Sequence, residues 1–449
     1  MERNVRLVPL VAQTWVPKLV NSAETQIPLD QHRGVRIVNR PFNFDPSVFI
    51  SKPYILCPQC SLQDFGVLSI QSDRYIRRCR RCHYTQTRSL PQLRKKVLYL
   101  DQFAISNLYK AASSDDPDGV WSNILDKLKR VIAMQLVVCP SSEFHQAESL
   151  VYRFYDDLRN FYESLSGGIR FRPSIHIHCE QLVLLLRDFL SVSPFSLPQL
   201  RQNRWAFESD PDVWVDRLIV GARVTYTDDA VEAVRAARER VHEDLLPTFR
   251  SWQLGAQSFA EVFEHEARGW VEAVIGGYLS YLERIDAIST GTSETPLNPY
   301  PNEAALIIKC LNNAASDSGI PGDQTLDRTL DFLRSEQVLR APFLKIMALL
   351  FAGAARKAAA GQRRPPTRGF STDVRMISTL LPCCDGILVD NECAALLREQ
   401  PLVHEVDFGA KVFSLNARSD LVDWLDTVES SASAEHKAIL NEVYGDRWH

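Results

Sequence analysis

Two Cys-x-x-Cys pairs, CPQC at 57–60 and CRRC at 79–82, constrain this chain more than any other feature. Two residues between thiolates let both converge on one tetrahedral ion from a tight turn. The eighteen residues between the pairs suffice for a small hairpin joining the two turns. The intervening SLQDFGVLSIQSDRYIRR suits that hairpin, with VLSI and RYIR on either side of QSD. Cys57, Cys60, Cys79 and Cys82 are therefore expected to hold structural Zn2+. Four sulfurs leave no open coordination position, which argues against a catalytic zinc. The competing reading, four free thiols spaced by chance, fits poorly with a short segment that has no other core. Cys139, Cys179, Cys310, Cys383, Cys384 and Cys393 lie in apolar or mixed contexts. No export signal is read in MERNVRLVPLVAQTWVPKLV, so metal binding is a better use of the paired cysteines than disulfides, and a cytoplasmic location is expected.

From Arg74 to Lys96 there are seven Arg, two Lys and no acid, with Tyr75, His83 and Tyr84 interleaved. The whole chain carries a formal charge of -4, so nucleic-acid binding must come from a local patch. Arg74, Arg77, Arg78, Arg80, Arg81, Arg88, Lys95 and Lys96 form a candidate phosphate-contacting surface with rings available for base stacking. A solvated face aiding solubility is the competing reading.

At 449 residues the chain exceeds one ordinary core. The expected organisation is an extended arm at 1–50 containing RGVRIVN, a zinc ribbon at 51–96, and a first α/β part at 97–160. A helical insertion at 161–340, a second α/β part at 341–430 and a tail at 431–449 follow. Strands are read at VLYL, AMQLVVCP, GILVD and KVFSL, alternating with helices such as DVRMISTLL, NECAALLRE and SDLVDWLDTVESS, the last with Ser419 as N-cap. That alternation predicts a parallel sheet. DDAVEAVRAARERVHEDLL and SFAEVFEHEARGWVEAVIGGYLSYLERI are helical, and GTSETPLNPYPNE and AGQRRPPTRGFST are loops. The most apolar stretch, APFLKIMALLFAGAARKAAA, is broken by Lys345 and Arg356 and reads as a core helix; no membrane is expected.

Asp101 ends the strand-like VLYL, where parallel sheets place their sites. Other acids recur at comparable stations: Glu143 and Glu148 after LVVCP, Asp373 opening DVRMISTLL, and Asp385 and Asp390 bracketing GILV. Acids converging in a cleft cannot all ionise without a cation. Mg2+ or Mn2+, bound by a few carboxylates and water and completed by substrate phosphate, resolves this. Taken singly, Asp101 and Asp373 read as helix caps or first-turn acids rather than ligands, and only the acids taken together point to a metal site. His176 and His178 in SIHIHCE alternate like strand neighbours and with Cys179 form a minor metal candidate.

VLYLDQFAISNL, LVVCPSSEFHQAESL and STDVRMISTLLPCCDGILVDNECAALL, followed by KVFSLN and a helix, resemble the PIN-domain nucleases. More narrowly they are similar to bacterial PIN-like proteins with a long helical insertion. The resemblance implies an α/β fold: a parallel sheet flanked by helices, here with a small β zinc ribbon and a large all-α insertion. It also implies a metal-dependent phosphodiesterase, usually acting on single-stranded RNA. By position Asp101, Glu148, Asp373 and Asp390 match the metal-binding catalytic acids, and Asp385 is a supplementary one. The choice between Glu143 and Glu148 stays open. Phe103 stands where many members have Asn, with Gln102 or Asn107 as substitutes.

The expected function is thus a Mg2+- or Mn2+-dependent endoribonuclease, in a defence or toxin context if the bacterial likeness extends that far. A non-catalytic zinc-ribbon module that binds nucleic acid on a degenerate scaffold is the alternative. A phosphatase using Asp101 as nucleophile is disfavoured, because Phe103 replaces the acid that pattern requires. The helical insertion is read as a protein-partner platform, a lid or a self-association surface.

Overall fold

The short hairpin read between the cysteine pairs becomes the centre of a four-stranded antiparallel meander: β1 (Ser51–Ile55), β2 (Phe65–Gln71), β3 (Arg74–Cys79) and β4 (Thr85–Ser89). The computed structural model describes residues 46–445 apart from 114–115, 117–118, 151–154, 203, 217–227, 256, 292–300 and 407. The arm read at 1–50 therefore lies almost wholly outside the described residues, as does most of the GTSETPLNPYPNE loop. Ser72, with φ of 44°, makes the β2–β3 turn. One side of the ribbon carries Val67, Ile70 and Tyr75 into a small core with Met134 and Trp214. Leu440, Val443 and Tyr444 complete that core from the Ala434–Tyr444 helix, which occupies what the sequence reads as a tail.

The second sheet is entirely parallel: β5 (Lys96–Leu100), β6 (Val137–Val138), β7 (Gly386–Val389) and β8 (Lys411–Ser414), in spatial order β6-β5-β7-β8. β5 and β7 are continuous apolar runs because both faces are covered. Val97, Tyr99, Ile387 and Val389 point into one core, built with the Pro342–Ala359, Phe370–Leu380 and Asn391–Arg398 helices. Leu98, Leu100 and Leu388 point into the other, with the Gln102–Ala112, Val120–Ala133 and Arg418–Ser430 helices. The chain leaves β5 toward β6 on one side, and later leaves β7 toward β8 on the other. The direction of winding thus reverses between β5 and β7, and a crevice opens at their carboxyl ends.

The insertion has its own apolar core, drawn from the Ser174–Phe189, Phe259–Ser289, Glu303–Asp317 and Thr325–Arg334 helices. Phe343, Leu344 and Ala348 of the Pro342–Ala359 helix belong to that core, while Ile346, Leu349 and Leu350 belong to the sheet's. One helix therefore fastens the insertion to the α/β part. Ser258 and Glu261 form a reciprocal capping box at the start of the long Phe259–Ser289 helix.

Three local expectations are corrected. SIHIHCE is the first part of the Ser174–Phe189 helix, because Ile177, Gln181, Leu182, Leu185 and Leu186 form a buried stripe at helical spacing that outweighs the short alternation. His178 is consequently half-buried, hydrogen-bonded to Thr379 at 2.9 Å and stacked on Phe343, and loss of hydration around its ring lowers its pKa to about 3. Ser419 lies inside the Arg418–Ser430 helix, whose N-cap position is Ala417. Only Val137 and Val138 of AMQLVVCP pair as a strand. Among the described residues no helix is long and apolar enough to cross a membrane.

Candidate metal centre and basic surface

Asp101 and Asp390 immediately follow β5 and β7, on either side of the crevice. Each is the N-cap of the next helix in extended backbone conformation. Asp101 Oδ1 accepts from the Gln102 N–H at 2.7 Å, and Asp390 Oδ1 accepts from the Cys393 N–H at 2.6 Å. The capping reading and the metal-site reading are thus compatible, because each cap occupies one carboxylate oxygen. Asp373 comes from the first turn of the Phe370–Leu380 helix and Glu148 from the end of the Glu143–Ser149 helix.

These four acids act on one another. Burial, then the charges of Glu148 and Asp390, push the Asp101 carboxyl up to about 8, with the Gln102 N–H opposing. Burial, then the charges of Asp101, Glu148 and Asp390, push Asp373 up to about 9. Asp101 is buried and Glu148, Asp373 and Asp390 are half-buried, close enough for the charges of Glu148 and Asp390 to act on both Asp101 and Asp373. Burial and mutual repulsion thus raise the Asp101 and Asp373 carboxyls well above the usual carboxylate range.

The supporting contacts explain why Glu148 belongs here and Glu143 does not. Tyr99 Oη lies 2.9 Å from Ser142 Oγ, and Ser142 Oγ accepts from the His145 N–H at 3.3 Å as the cap of the Glu143–Ser149 helix. His145 stacks on Tyr99, and its Nε2 meets the Leu100 carbonyl at 2.6 Å. Burial lowers its pKa to about 4, so the neutral ring donates there and ties the helix to the end of β5. Glu143 faces the other way, accepting from the Ser174 N–H at 3.1 Å. Asn107 is occupied locally, donating to the Phe103 carbonyl at 2.8 Å. Gln102 is buried with neither end of its amide bonded, and of the two it alone has a free amide for the role of the missing Asn.

Asp385 is not part of this pocket. It stands at the amino end of β7, where its Oδ2 accepts from the Val97 N–H at 2.9 Å and its Oδ1 pairs with Lys96 at 3.1 Å. An acid before a strand and one after it lie at opposite edges of a sheet, a direction that the sequence reading overlooks. Conversely, Cys393 is a candidate ligand that the sequence reading misses: its thiol and the Asp373 and Asp390 carboxylates have donor atoms within 4.8 Å of one another. The signal is present, since Asp390 capping Cys393 N–H brings the third helical residue beside the carboxylate.

The ribbon cysteines form a second cluster. Cys57 Sγ lies 3.5 Å from Cys82 Sγ and Cys60 Sγ lies 3.7 Å from Cys79 Sγ, close to the ~3.8 Å edge of a tetrahedron with ~2.3 Å zinc–sulfur bonds. The two turns match each other. Ser61 N–H donates to the Cys57 carbonyl and His83 N–H to the Cys79 carbonyl, with Ser61 and His83 both left-handed at φ of 57° and 61°. The thiol donor set, spacing and closure fit one four-coordinate Zn2+.

The basic surface is mostly committed elsewhere. Arg77 is 1% exposed and donates to the carbonyls of Pro53, Phe65 and Glu442 at 2.9, 3.1 and 2.5 Å. Lys95 is buried, donating to Gln135 Oε1 at 3.0 Å and the Val213 carbonyl at 2.7 Å, and burial lowers its pKa to about 8. Both are corrections to the expected phosphate-contacting set. Arg88 pairs with Glu442, Arg81 with Asp64, Arg74 with Asp73 and Lys96 with Asp385. Arg78 is half-buried, and Arg80 is exposed beside the Tyr54 ring.

No family model, no curated protein and no solved structure matches this chain.

Proposed function

We propose that this protein is a metal-dependent phosphodiesterase of PIN-like type acting on single-stranded RNA, with Asp101, Glu148, Asp373 and Asp390 as its metal-binding catalytic acids. What supports the reading is that Asp373 and Asp390 have carboxylate oxygens within reach of one ion, and that Asp101, after β5 of the same parallel sheet, feels the charges of Glu148 and Asp390. Neighbouring acids whose carboxyls are pushed up by burial and by one another's charge are stabilised by a hard divalent ion. The order of strands and acids also follows the PIN-like pattern of the sequence.

In this reading Asp101 and Asp390 stay oriented by their cap bonds, so each presents a fixed oxygen to Mg2+ or Mn2+. The Tyr99–Ser142–His145 contacts tie the helix that carries Glu148 to the end of β5. Asp373 closes the pocket from the side of the insertion. Bound there, the ion supplies charge neutralisation for the phosphoryl oxygens and an acidified water. The cysteine cluster suits a structural zinc that fixes the ribbon. The non-catalytic alternative has less support, because the ribbon arginines it relies on are largely buried or paired.

Cleavage of single-stranded RNA with Mn2+ or Mg2+ tests the proposal. EDTA is expected to stop the reaction, and a folded Asp101→Asn variant that cuts undiminished refutes the assignment.

A further inference from the structure

A pocket of four acids repels a phosphodiester chain, so a nuclease built on it needs cations close by that are not already paired. The ribbon supplies few. The segment between the Pro342–Ala359 and Phe370–Leu380 helices is different. From Arg356 to Gly369 the sequence RKAAAGQRRPPTRG holds five basic residues and no acid. Arg356 and Lys357 both pair with Glu399. Arg363, Arg364 and Arg368 are exposed. Among the described residues Arg363 and Arg364 have no ion pair, and the single partner of Arg368 is Glu239 at 3.5 Å, with the arginine side chain 76% exposed. The ribbon pairs of Arg74, Arg81 and Arg88 are also exposed but shorter, at 3.1, 2.9 and 2.6 Å.

The segment is fastened to the acid pocket at both ends. At its far end, a Cβ on Gly369 would lie 3.3 Å from Asp373 Oδ2, and the Asp373 N–H donates to the Gly369 carbonyl at 2.9 Å. At its near end, Gln362 lies beside Glu392, the second residue of the helix that Asp390 caps. The Gln362 carbonyl also accepts from Gln253 Nε2 at 2.9 Å, and Gln362 Nε2 donates to the Arg364 carbonyl at 2.9 Å. Pro365 and Pro366 remove backbone freedom between these anchors, and Pro366 is buried. The arginines are thus carried on a fixed strap rather than a loose tether, which reduces the entropy lost on binding.

We infer that Arg363, Arg364 and Arg368 on this strap form the phosphate-contacting rail that holds a single-stranded RNA backbone beside the acid pocket. The substrate named here rests on the nuclease reading; the position of the rail rests on charge and geometry. Guanidinium groups suit bidentate contact with phosphate oxygens. The strap carries no aromatic residue, so the contacts are to the backbone and indifferent to base identity.

Fluorescence anisotropy with a labelled single-stranded RNA, across a NaCl series, tests this in the full chain carrying Asp101→Asn so that nothing is cut. Adding Arg363→Gln and Arg364→Gln is expected to weaken binding about 10-fold. The slope of log affinity against log salt should fall by about 1.4, because each neutralised phosphate of a single strand contributes ~0.7. Arg363→Lys with Arg364→Lys restores most of the slope. Removing the same charge at Arg328 and Arg340 leaves it unchanged. The inference is overturned if the strap variant binds as tightly as its parent, if the weakening appears instead in Arg80→Gln with Arg81→Gln, or if the parent binds no single strand. A wild-type chain that binds through the strap but never cuts with Mn2+ overturns the hydrolytic reading and leaves the rail standing. Undiminished binding by the strap variant, in a wild type that cuts, does the reverse.

Discussion

Asp101 and Asp385 stand at opposite ends of the same strand pair: the Asp101 N–H donates to the Leu388 carbonyl at 3.0 Å, and the Asp385 N–H donates to the Val97 carbonyl at 2.8 Å. Two acids that look equivalent in the sequence therefore have separable roles. Asp101→Asn keeps a good helix cap and is expected to lower RNA cleavage by more than the ~10–100-fold cost of losing a ligand's supporting partner. Asp385→Asn is expected to leave cleavage within about twofold and to reduce stability by ~1–2 kcal/mol through its weakened bonds to Val97 and Lys96. Paired activity assays and urea denaturation check both.

The raised acids give the metal-free protein an unusual pH dependence. Unfolded, Asp101 and Asp373 release their protons near pH 4; folded, they hold them until about 8 and about 9. Between those limits the native state binds more protons than the unfolded one, so stability falls as pH rises from about 4 to 9. Thermal melts in EDTA are expected to show this fall. Asp373→Asn is expected to flatten it and to gain ~1–3 kcal/mol at pH 8, part of the ~1.4 kcal/mol that each unit of displacement is worth.

Divalent ion binding must expel those protons. Calorimetric titration with Mn2+ at pH 7 in buffers of different ionisation enthalpy is expected to report release of about two protons per site, falling toward one in Asp373→Asn. A buffer-independent heat contradicts the shared pocket.

Cys393 brings a soft donor to a set of hard ones. A thiol among carboxylates favours Mn2+ or Cd2+ over Mg2+. Cys393→Ser is expected to lower the ratio of Mn2+- to Mg2+-supported cleavage several-fold, and to weaken Cd2+ binding measured by calorimetry on the zinc-loaded protein. An unchanged ratio shows that the thiol only packs there.

Arg77 is expected to behave as a structural residue. Arg77→Ala strands three carbonyls and is expected to cost ~2–4 kcal/mol, with release of Zn2+ at lower chelator concentration, while Kd for RNA in the folded fraction is unchanged. Denaturation followed by a zinc-sensitive dye checks it.

What is legible in the sequence is local. The turns at the two cysteine pairs, the β2–β3 hairpin, β5, β7, β8 and the capping acids all follow from spacings within a dozen residues. That Asp101 and Asp390 lie at the same edge is legible because strand ends in a parallel sheet point one way, whereas Glu148 and Asp373 stand on helices and are singled out only by the resemblance. What escapes depends on distant partners or on direction. Arg77 reads as a surface cation until the Glu442 carbonyl, 365 residues away, is seen to receive it. Placing Asp385 requires knowing which end of β7 faces the crevice. His176 and His178 require the apolar stripe downstream to override a four-residue alternation.

The fastening of the ribbon to the Ala434–Tyr444 helix has a consequence during synthesis. A ribosome making this protein releases the cysteine pairs early, yet the partner that receives the Arg77 guanidinium and closes the ribbon's apolar side emerges near the end. β5 likewise waits for β7 before Asp101 and Asp390 can meet. An incomplete nascent chain therefore lacks the pairing that brings Asp101 and Asp390 to the same crevice, and under the proposed nuclease reading unfinished copies would not cut.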